Sequence, residues 1–208
     1  MNYVWYASYG SNLNKERFLC YIKGGSPKGS TRVEKGCRDR SLPIDESIFT
    51  IHYPFYFAKE ASGWQSKGVG FIGHSYDPKT ITLSKKYLIT EEQFLDIVKQ
   101  ENDGIDCEFD INEVIRKKSL VFRKNAWYGK ILYLGEDRGY PIFTFTAPWQ
   151  MGDVEYIQPS REYLSTIIKG LKTDCSNEEI FAYFKGRPGI EGYYSDDNLK
   201  DLIRGIEL

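Results

Sequence analysis

Val4-Trp5-Tyr6-Ala7-Ser8-Tyr9-Gly10-Ser11-Asn12-Leu13, followed at once by Asn14-Lys15-Glu16-Arg17-Phe18-Leu19-Cys20, is the stretch that decides the fold. Its aromatic, β-prone opening predicts a strand. Gly10 ends that strand, because glycine most easily takes the backbone angles of a sharp turn. Asn12 or Asn14 then caps a helix with Phe18, Leu19 and Ile22 on its apolar side and Gly24-Gly25 as its stop. A strand that turns through Gly-Ser-Asn into a helix leaves backbone N–H groups unpaired. Those donors and the helix dipole together make a cradle for an anion. The same residues also read as an ordinary strand-to-helix turn with no ligand.

Size and charge narrow the classes. A chain of 208 residues can bury one full core, with room for a helical appendage. Lys+Arg 28 against Asp+Glu 29 gives a formal charge of −1, so no polyanionic partner such as nucleic acid is expected. Arg116-Lys117-Lys118 is the one basic run and reads as a solvated loop. No segment reaches the ~18 apolar residues of a membrane span. The N-terminus lacks the basic-then-apolar layout of a secretory signal. Cys20, Cys37, Cys107 and Cys175 are scattered without a Cys-x-x-Cys pair, which predicts reduced thiols and a cytoplasmic protein.

Along the chain, 24–46 reads as a long loop, loosest over Gly24-Gly25-Ser26-Pro27-Lys28-Gly29-Ser30. Strands are expected at 48–58, 67–75, 119–123, 127–134 and 140–146, the last two joined by a turn at Gly135-Glu136-Asp137-Arg138-Gly139. Thr90-Glu91-Glu92-Gln93 is a capping box that opens a helix running to about Asn102. Ser160 caps a second helix carrying Tyr163, Leu164, Ile167, Ile168 and Leu171 at helical spacing. Ser176-Asn177-Glu178-Glu179 is another capping box, and Gly186 with Pro188 ends that helix. Leu199, Leu202, Ile203 and Ile206 form a last amphipathic helix whose apolar face needs a partner surface, from this chain or from a second copy in a homodimer. Strands and helices do not alternate regularly, so the class is α+β. The expected division is a main domain over 1–174 and a C-terminal helical extension over 175–208.

The helix from Thr90 carries a carboxylate in an unexpected place. At ~100° per residue Phe94, Ile97, Val98 and Glu101 share one side, while Asp96, Lys99 and Gln100 face elsewhere as solvated residues. A glutamate centred in an apolar stripe must be paired, hydrogen-bonded or raised in pKa, which suits a general acid–base. If the helix frays early, Glu101 is instead a solvated end residue. Asp103 is a second carboxylate close by.

Tyr9-Gly10-Ser11-Asn12-Leu13 with Arg17 behind it resembles the signature of the γ-glutamylcyclotransferase-like family. Tyr56-Phe57-Ala58-Lys59-Glu60, Trp64 with Gly68-Val69-Gly70-Phe71-Ile72, Gln100-Glu101-Asn102 and Pro159-Ser160-Arg161-Glu162-Tyr163-Leu164 resemble further segments of it, in the same order. The resemblance is good over about 3–105, looser over 119–172 and absent beyond. It implies a small mixed β-barrel flanked by helices, with Glu101 at the position of the family's catalytic glutamate. It also implies a substrate cradle made by Tyr9, Gly10, Ser11, Asn12 and Leu13, with the Tyr9 hydroxyl at the pocket.

Other chemistries lack their parts. His52 and His74 sit in expected strands with no ligand-like neighbours, so no metal is expected. Gly10-Ser11-Asn12 lacks the second glycine of a nucleophile elbow, and no phosphate-binding Gly-rich loop is present. The 16 tyrosines fit a packed aromatic core, or an aromatic pocket. The expectation is a cofactor-free enzyme acting on a small γ-glutamyl molecule, closing it to 5-oxoproline and releasing an amino acid or amine. The alternatives are a tailoring cyclotransferase acting on a biosynthetic amine, and a binding module that keeps the cradle for a carboxylate but has no turnover.

Overall fold

The computed structural model describes residues 2–26, 33–106 and 109–207. Cys107 and most of the loosest loop segment lie outside them, as do Met1 and Leu208. The first strand, β1 (Tyr3–Ser8), leads through a 3-10 turn at Ser11–Leu13 into α1 (Lys15–Lys23). Then come β2 (Asp45–Ile51), β3 (Phe55–Ala61), β4 (Lys67–Ile72), β5 (Thr82–Thr90) and α2 (Glu91–Glu101). The chain continues through α3 (Ile111–Lys117), β6 (Ser119–Val121), β7 (Lys130–Asp137) and β8 (Tyr140–Thr146). It ends with α4 (Arg161–Leu171), α5 (Asn177–Phe184) and α6 (Asp196–Arg204). This is an α+β fold.

The strands form a six-stranded sheet in the order β2-β5-β1-β8-β7-β6 and a separate β3-β4 pair. The expected barrel is corrected: among the described residues the two sheets do not close. The strand expected over 48–58 is broken, because the chain turns at His52-Tyr53-Pro54 and β3 pairs with β4 in the second sheet. Proline has no N–H for a ladder, which favours a break at that point.

Two compact units emerge. The first comprises Met1–Ser8, Glu16–Phe49 and Lys85–Trp149; the second comprises Tyr9–Lys15, Thr50–Ser84 and Gln150–Leu208.

The first unit buries a core of Tyr6, Phe18, Tyr87, Phe94, Phe143 and Phe145 with their aliphatic neighbours. Phe18 stacks on Tyr87 at 3.9 Å between centroids, and Tyr6 on Phe145 at 5.2 Å. In this unit β1 runs antiparallel to β5 and parallel to β8. The sequence gives no strand signal for β5, because Ser84-Lys85-Lys86 interrupts its apolar pattern. Both lysines are nonetheless buried. Lys86 Nζ lies 2.7 Å from Asp137 Oδ2 and 4.6 Å from the Trp5 ring centre, so its charge is paired while its stem is packed. Arg116-Lys117-Lys118 is not a loop: Arg116 and Lys117 close α3, and Lys117 pairs with Glu113 at 2.6 Å, one turn back. Gly135 is not in the β7–β8 turn. With φ 115° it sits where the register shifts, and the turn falls at Arg138-Gly139.

In the second unit β3 and β4 are flanked by the 156–159 segment, bridged at Ala58–Tyr156 and Gly68–Pro159. Phe57 stacks near Phe184, and its N–H donates to Pro188 O at 3.0 Å. Leu199, Leu202 and Ile203 of α6 are buried by the chain itself. Among the described residues no helix is long and apolar enough to cross a membrane.

Candidate active site

The turn after β1 belongs to the second unit. Gly10 has φ −109° and ψ −143°, neither helical nor extended, where the chain leaves the strand. It is needed for room: a Cβ there would stand 3.0 Å from the Tyr163 hydroxyl oxygen. The Leu13 N–H donates to Gly10 O at 3.0 Å and the Asn14 N–H to Ser11 O at 3.1 Å. The Leu13 amide is therefore spent inside the turn and drops out of the expected cradle. Among the described residues nothing takes the N–H groups of Gly10 and Ser11, and both residues are half-exposed. Asn12 and Leu13 are buried. Tyr9 is also buried, its ring edge-on to Phe55 at 6.0 Å. What this turn offers an anion is a pair of adjacent backbone donors.

Helix α4 holds the turn at two points two helical turns apart. Tyr163 reaches Gly10 from one, and Gly170 meets the end of the turn at the other. A Cβ on Gly170 would lie 2.3 Å from Leu13 C and 2.5 Å from Asn14 N, so only glycine lets the two backbones touch. The Tyr163 hydroxyl accepts a hydrogen bond from the Gly70 N–H at 3.0 Å. Trp64 packs edge-on to Tyr163 at 4.8 Å. Trp64 sits in a strained stretch: Lys59, Gln65 and Ser66 all have φ between 53° and 61°. Such conformations persist only where the surroundings impose them, and they cluster at functional sites. The sequence placed Tyr163 on an apolar helix face without a role and passed over Gly170. A glycine inside an apolar helix is itself a signal of close approach.

Glu101 belongs to the first unit, where it is the last residue of α2 and half-buried. The helix does not fray ahead of it. Asn102 follows, buried, donating to Val98 O at 2.8 Å and to Tyr128 O at 3.2 Å. Asp103 is exposed with φ 58°, which separates the two carboxylates by environment. Gln100 is not solvated as expected. It is buried, donating to Tyr21 O at 3.0 Å and accepting from the Gly36 N–H at 3.1 Å. An amide side chain can answer backbone groups from inside the core, which the apolar pattern alone does not reveal. Arg17, close behind the motif, forms a buried ion pair with Glu34 at 2.9 Å.

A depression of about 380 Å³ in the first unit is lined by Asn2, Arg38, Thr90, Glu91, Glu92 and Leu95. Its only cation, Arg38, is already held by Glu92 and Asp96 at 3.0 Å each, so the depression has no free positive charge for an anionic ligand. Among the described residues no group of three or more His, Cys, Asp or Glu side chains could hold a metal ion. Cys20, Cys37 and Cys175 are free thiols.

A solved γ-glutamyl cyclotransferase superposes on this chain with a TM-score of 0.51 at 12% identity, covering 98% of this chain and 99% of that one. The chain has the γ-glutamyl cyclotransferase fold. An uncharacterized human protein of known structure gives the same TM-score at 14% identity, with the same coverage. No family model matches the chain. Among curated proteins, histone deacetylase 5 of Arabidopsis thaliana is 36% identical over 197 residues, which is 86% of this chain. The chain spans about 30% of the length of that relative.

Proposed function

We propose that the chain is a cofactor-free γ-glutamylcyclotransferase-type enzyme. The observation that carries the reading is the turn at Gly10–Ser11, whose two adjacent amides have no partner among the described residues, in a chain with this fold. A γ-glutamyl substrate has a free α-amine, a free α-carboxylate and an amide at the γ-carbonyl. The α-carboxylate accepts from the Gly10 and Ser11 amides. Glu101 takes a proton from the α-ammonium, and the freed amine attacks the γ-carbonyl within the same molecule. The γ C–N bond then breaks, and Glu101 returns the proton to the departing amine. The products are 5-oxoproline and an amino acid or amine. Because the attack is intramolecular, the protein supplies no nucleophile, and holding the substrate folded provides most of the rate.

The deciding variant is Glu101→Gln, nearly isosteric and unable to accept the proton. Release of 5-oxoproline from a panel of γ-glutamyl amino acids and amines should fall by roughly a thousandfold or more, with an unchanged melting temperature. Asp103→Asn should change turnover less than about twofold. A Glu101→Gln protein within tenfold of wild type sinks Glu101 as the base. Wild-type turnover should be indifferent to exhaustive chelation.

The second reading is a binding module that keeps the carboxylate cradle without turnover. It is favoured by the 36% identity to a segment covering only 30% of a longer protein. Binding of 5-oxoproline with no release of it from any γ-glutamyl compound would select the module.

A further inference from the structure

Two glycines on different elements make way for one hydroxyl group. Gly10 in the turn would place a Cβ 3.0 Å from Tyr163 Oη, and Gly70 on β4 would place one 3.4 Å from the same atom and 2.7 Å from the Phe55 ring. The Gly70 N–H donates to that oxygen at 3.0 Å. Tyr163 itself is buried, its ring confined edge-on by Phe57 at 6.3 Å and by Trp64 at 4.8 Å. Its own amide donates to the Ser160 Oγ at 3.1 Å, so the helix start fixes where the ring begins. The hydroxyl is thereby held from the sheet, from two rings and from its helix cap, and it stands where residue 10 would otherwise carry a side chain.

We propose that Tyr163 is the positioning residue of the carboxylate cradle: its hydroxyl, seated on the Gly70 amide, sets the orientation of the Gly10 and Ser11 peptide planes toward a γ-glutamyl ligand. The inference rests on the cyclotransferase reading for the identity of the ligand, and on the second unit alone for its geometry. Tyr163 touches neither the reacting carbonyl nor the proton in transit. It acts by fixing the donors, so its loss is felt in binding before chemistry. Gly170, meeting the backbone at Leu13 and Asn14, clamps the other end of the same turn. The ligand class is a small amino acid derivative with a free α-carboxylate, recognised through two backbone N–H groups rather than through an arginine.

The test is a double-mutant cycle on the full chain with Tyr163→Phe, Gly10→Ala and the pair, read with 5-oxoproline by calorimetry and with γ-glutamyl-alanine by turnover. Tyr163→Phe should weaken 5-oxoproline about tenfold and raise KM in step, with a smaller fall in kcat. Gly10→Ala should cost at least as much. In the pair the missing hydroxyl leaves room for the new methyl, so the losses should fall well short of additive. Additive losses, or a Tyr163→Phe protein that binds like wild type, would overturn the proposal. If Tyr163→Phe does not fold, Gly10→Ala alone decides: a folded variant with undiminished binding overturns it, and about tenfold weaker binding supports it. If wild type binds neither compound, the cyclotransferase reading fails. The positioning role is then read from the melting temperatures of the four proteins, where coupling supports it and additivity overturns it.

Discussion

Helices α2 and α4 have the same length and the same kind of start, yet they are fixed in opposite ways. Each runs for 11 residues from a hydroxyl cap, Thr90 or Ser160. On its buried side α2 carries Gln93 and Gln100 beside Phe94, Ile97 and Val98. Those amides hydrogen-bond to backbone carbonyls of Tyr21, Asp39 and Ser41 at 2.8–3.1 Å, tying the helix to irregular chain. On its buried side α4 carries Gly170 among Leu164, Ile167, Ile168 and Leu171, and it is tied to irregular chain by direct backbone contact. A helix that answers a loop with side-chain amides tolerates small shifts. A helix that answers it with a glycine does not, because no rotamer can absorb an added atom.

That contrast breaks first at Gly170. Gly170→Ala places a methyl 2.3 Å from Leu13 C, so helix and turn must separate. Overpacking of this kind costs about 3 kcal/mol, and the displaced turn should also lose its ligand. Gly152, where a Cβ meets nothing within 4 Å, is the control, and Gly152→Ala should be near neutral. Denaturant unfolding of the two variants measures the gap. Equal stabilities would mean that the approach of α4 to the turn is loose.

On the α2 side, Gln93→Met keeps the volume and removes the amide. The carbonyls of Asp39 and Ser41 and the Thr90 N–H then lose their partner inside the protein. The expected cost is about 2 kcal/mol, less than for Gly170→Ala, because water can reach part of the loop. A loss larger than that of Gly170→Ala would invert the comparison.

The same two helices show what the sequence could tell. Both caps, both apolar stripes and the break after α1 were legible, because local hydrogen bonding and the 3.6-residue period write them directly. Strand β5 was not, since Lys85 and Lys86 are both buried in it and Lys86 finds its partner as far away as Asp137. The burial of Gln100 was likewise invisible, as it depends on the Gly36 N–H and the Tyr21 carbonyl, 64 and 79 residues away in sequence. Within the candidate site, the turn was readable as a donor cradle. The loss of the Leu13 amide to Gly10 O and the packing of Tyr163 against Gly10 were not. Long-range contacts are specified by the whole fold and leave no mark at one position.

Cys37 offers a smaller, pH-dependent handle on the first unit. The thiol is buried, within 3.2 Å of Tyr21 O and 3.7 Å of Gln93 O, and burial pushes its pKa up to about 12 from 9.0. The unfolded thiol ionises above pH 9 while the folded one resists. The stability it contributes is therefore complete below pH 9 and is lost progressively as pH rises toward 12. At pH 10 the loss is on the order of 1 kcal/mol. Cys37→Ala should flatten the fall of stability between pH 8 and 10 relative to wild type, measured by urea unfolding. An unchanged slope would assign that fall to other groups.

The smallest expected effects come from the caps, and they separate the two helices most cleanly. Thr90 sits in a reciprocal box: its Oγ1 accepts from the Gln93 N–H at 3.1 Å, and its N–H donates to Gln93 Oε1 at 3.0 Å. Thr90→Ala removes the first bond and a longer one that the same hydroxyl donates to Asp39 Oδ2 at 3.4 Å, and keeps the second. Ser160 Oγ accepts from the Tyr163 N–H at 3.1 Å. Each alanine should cost about 1 kcal/mol of stability. Their functional consequences should differ, because the donor released by Ser160→Ala is the backbone of Tyr163, the residue whose hydroxyl stands against Gly10. Ser160→Ala should therefore weaken 5-oxoproline by a few-fold as well as lower the melting temperature. Thr90→Ala should lower the melting temperature alone, since Gln93 keeps its other bonds and α2 keeps its seat. If both variants bind 5-oxoproline alike after correction for stability, the start of α4 carries no information to the turn.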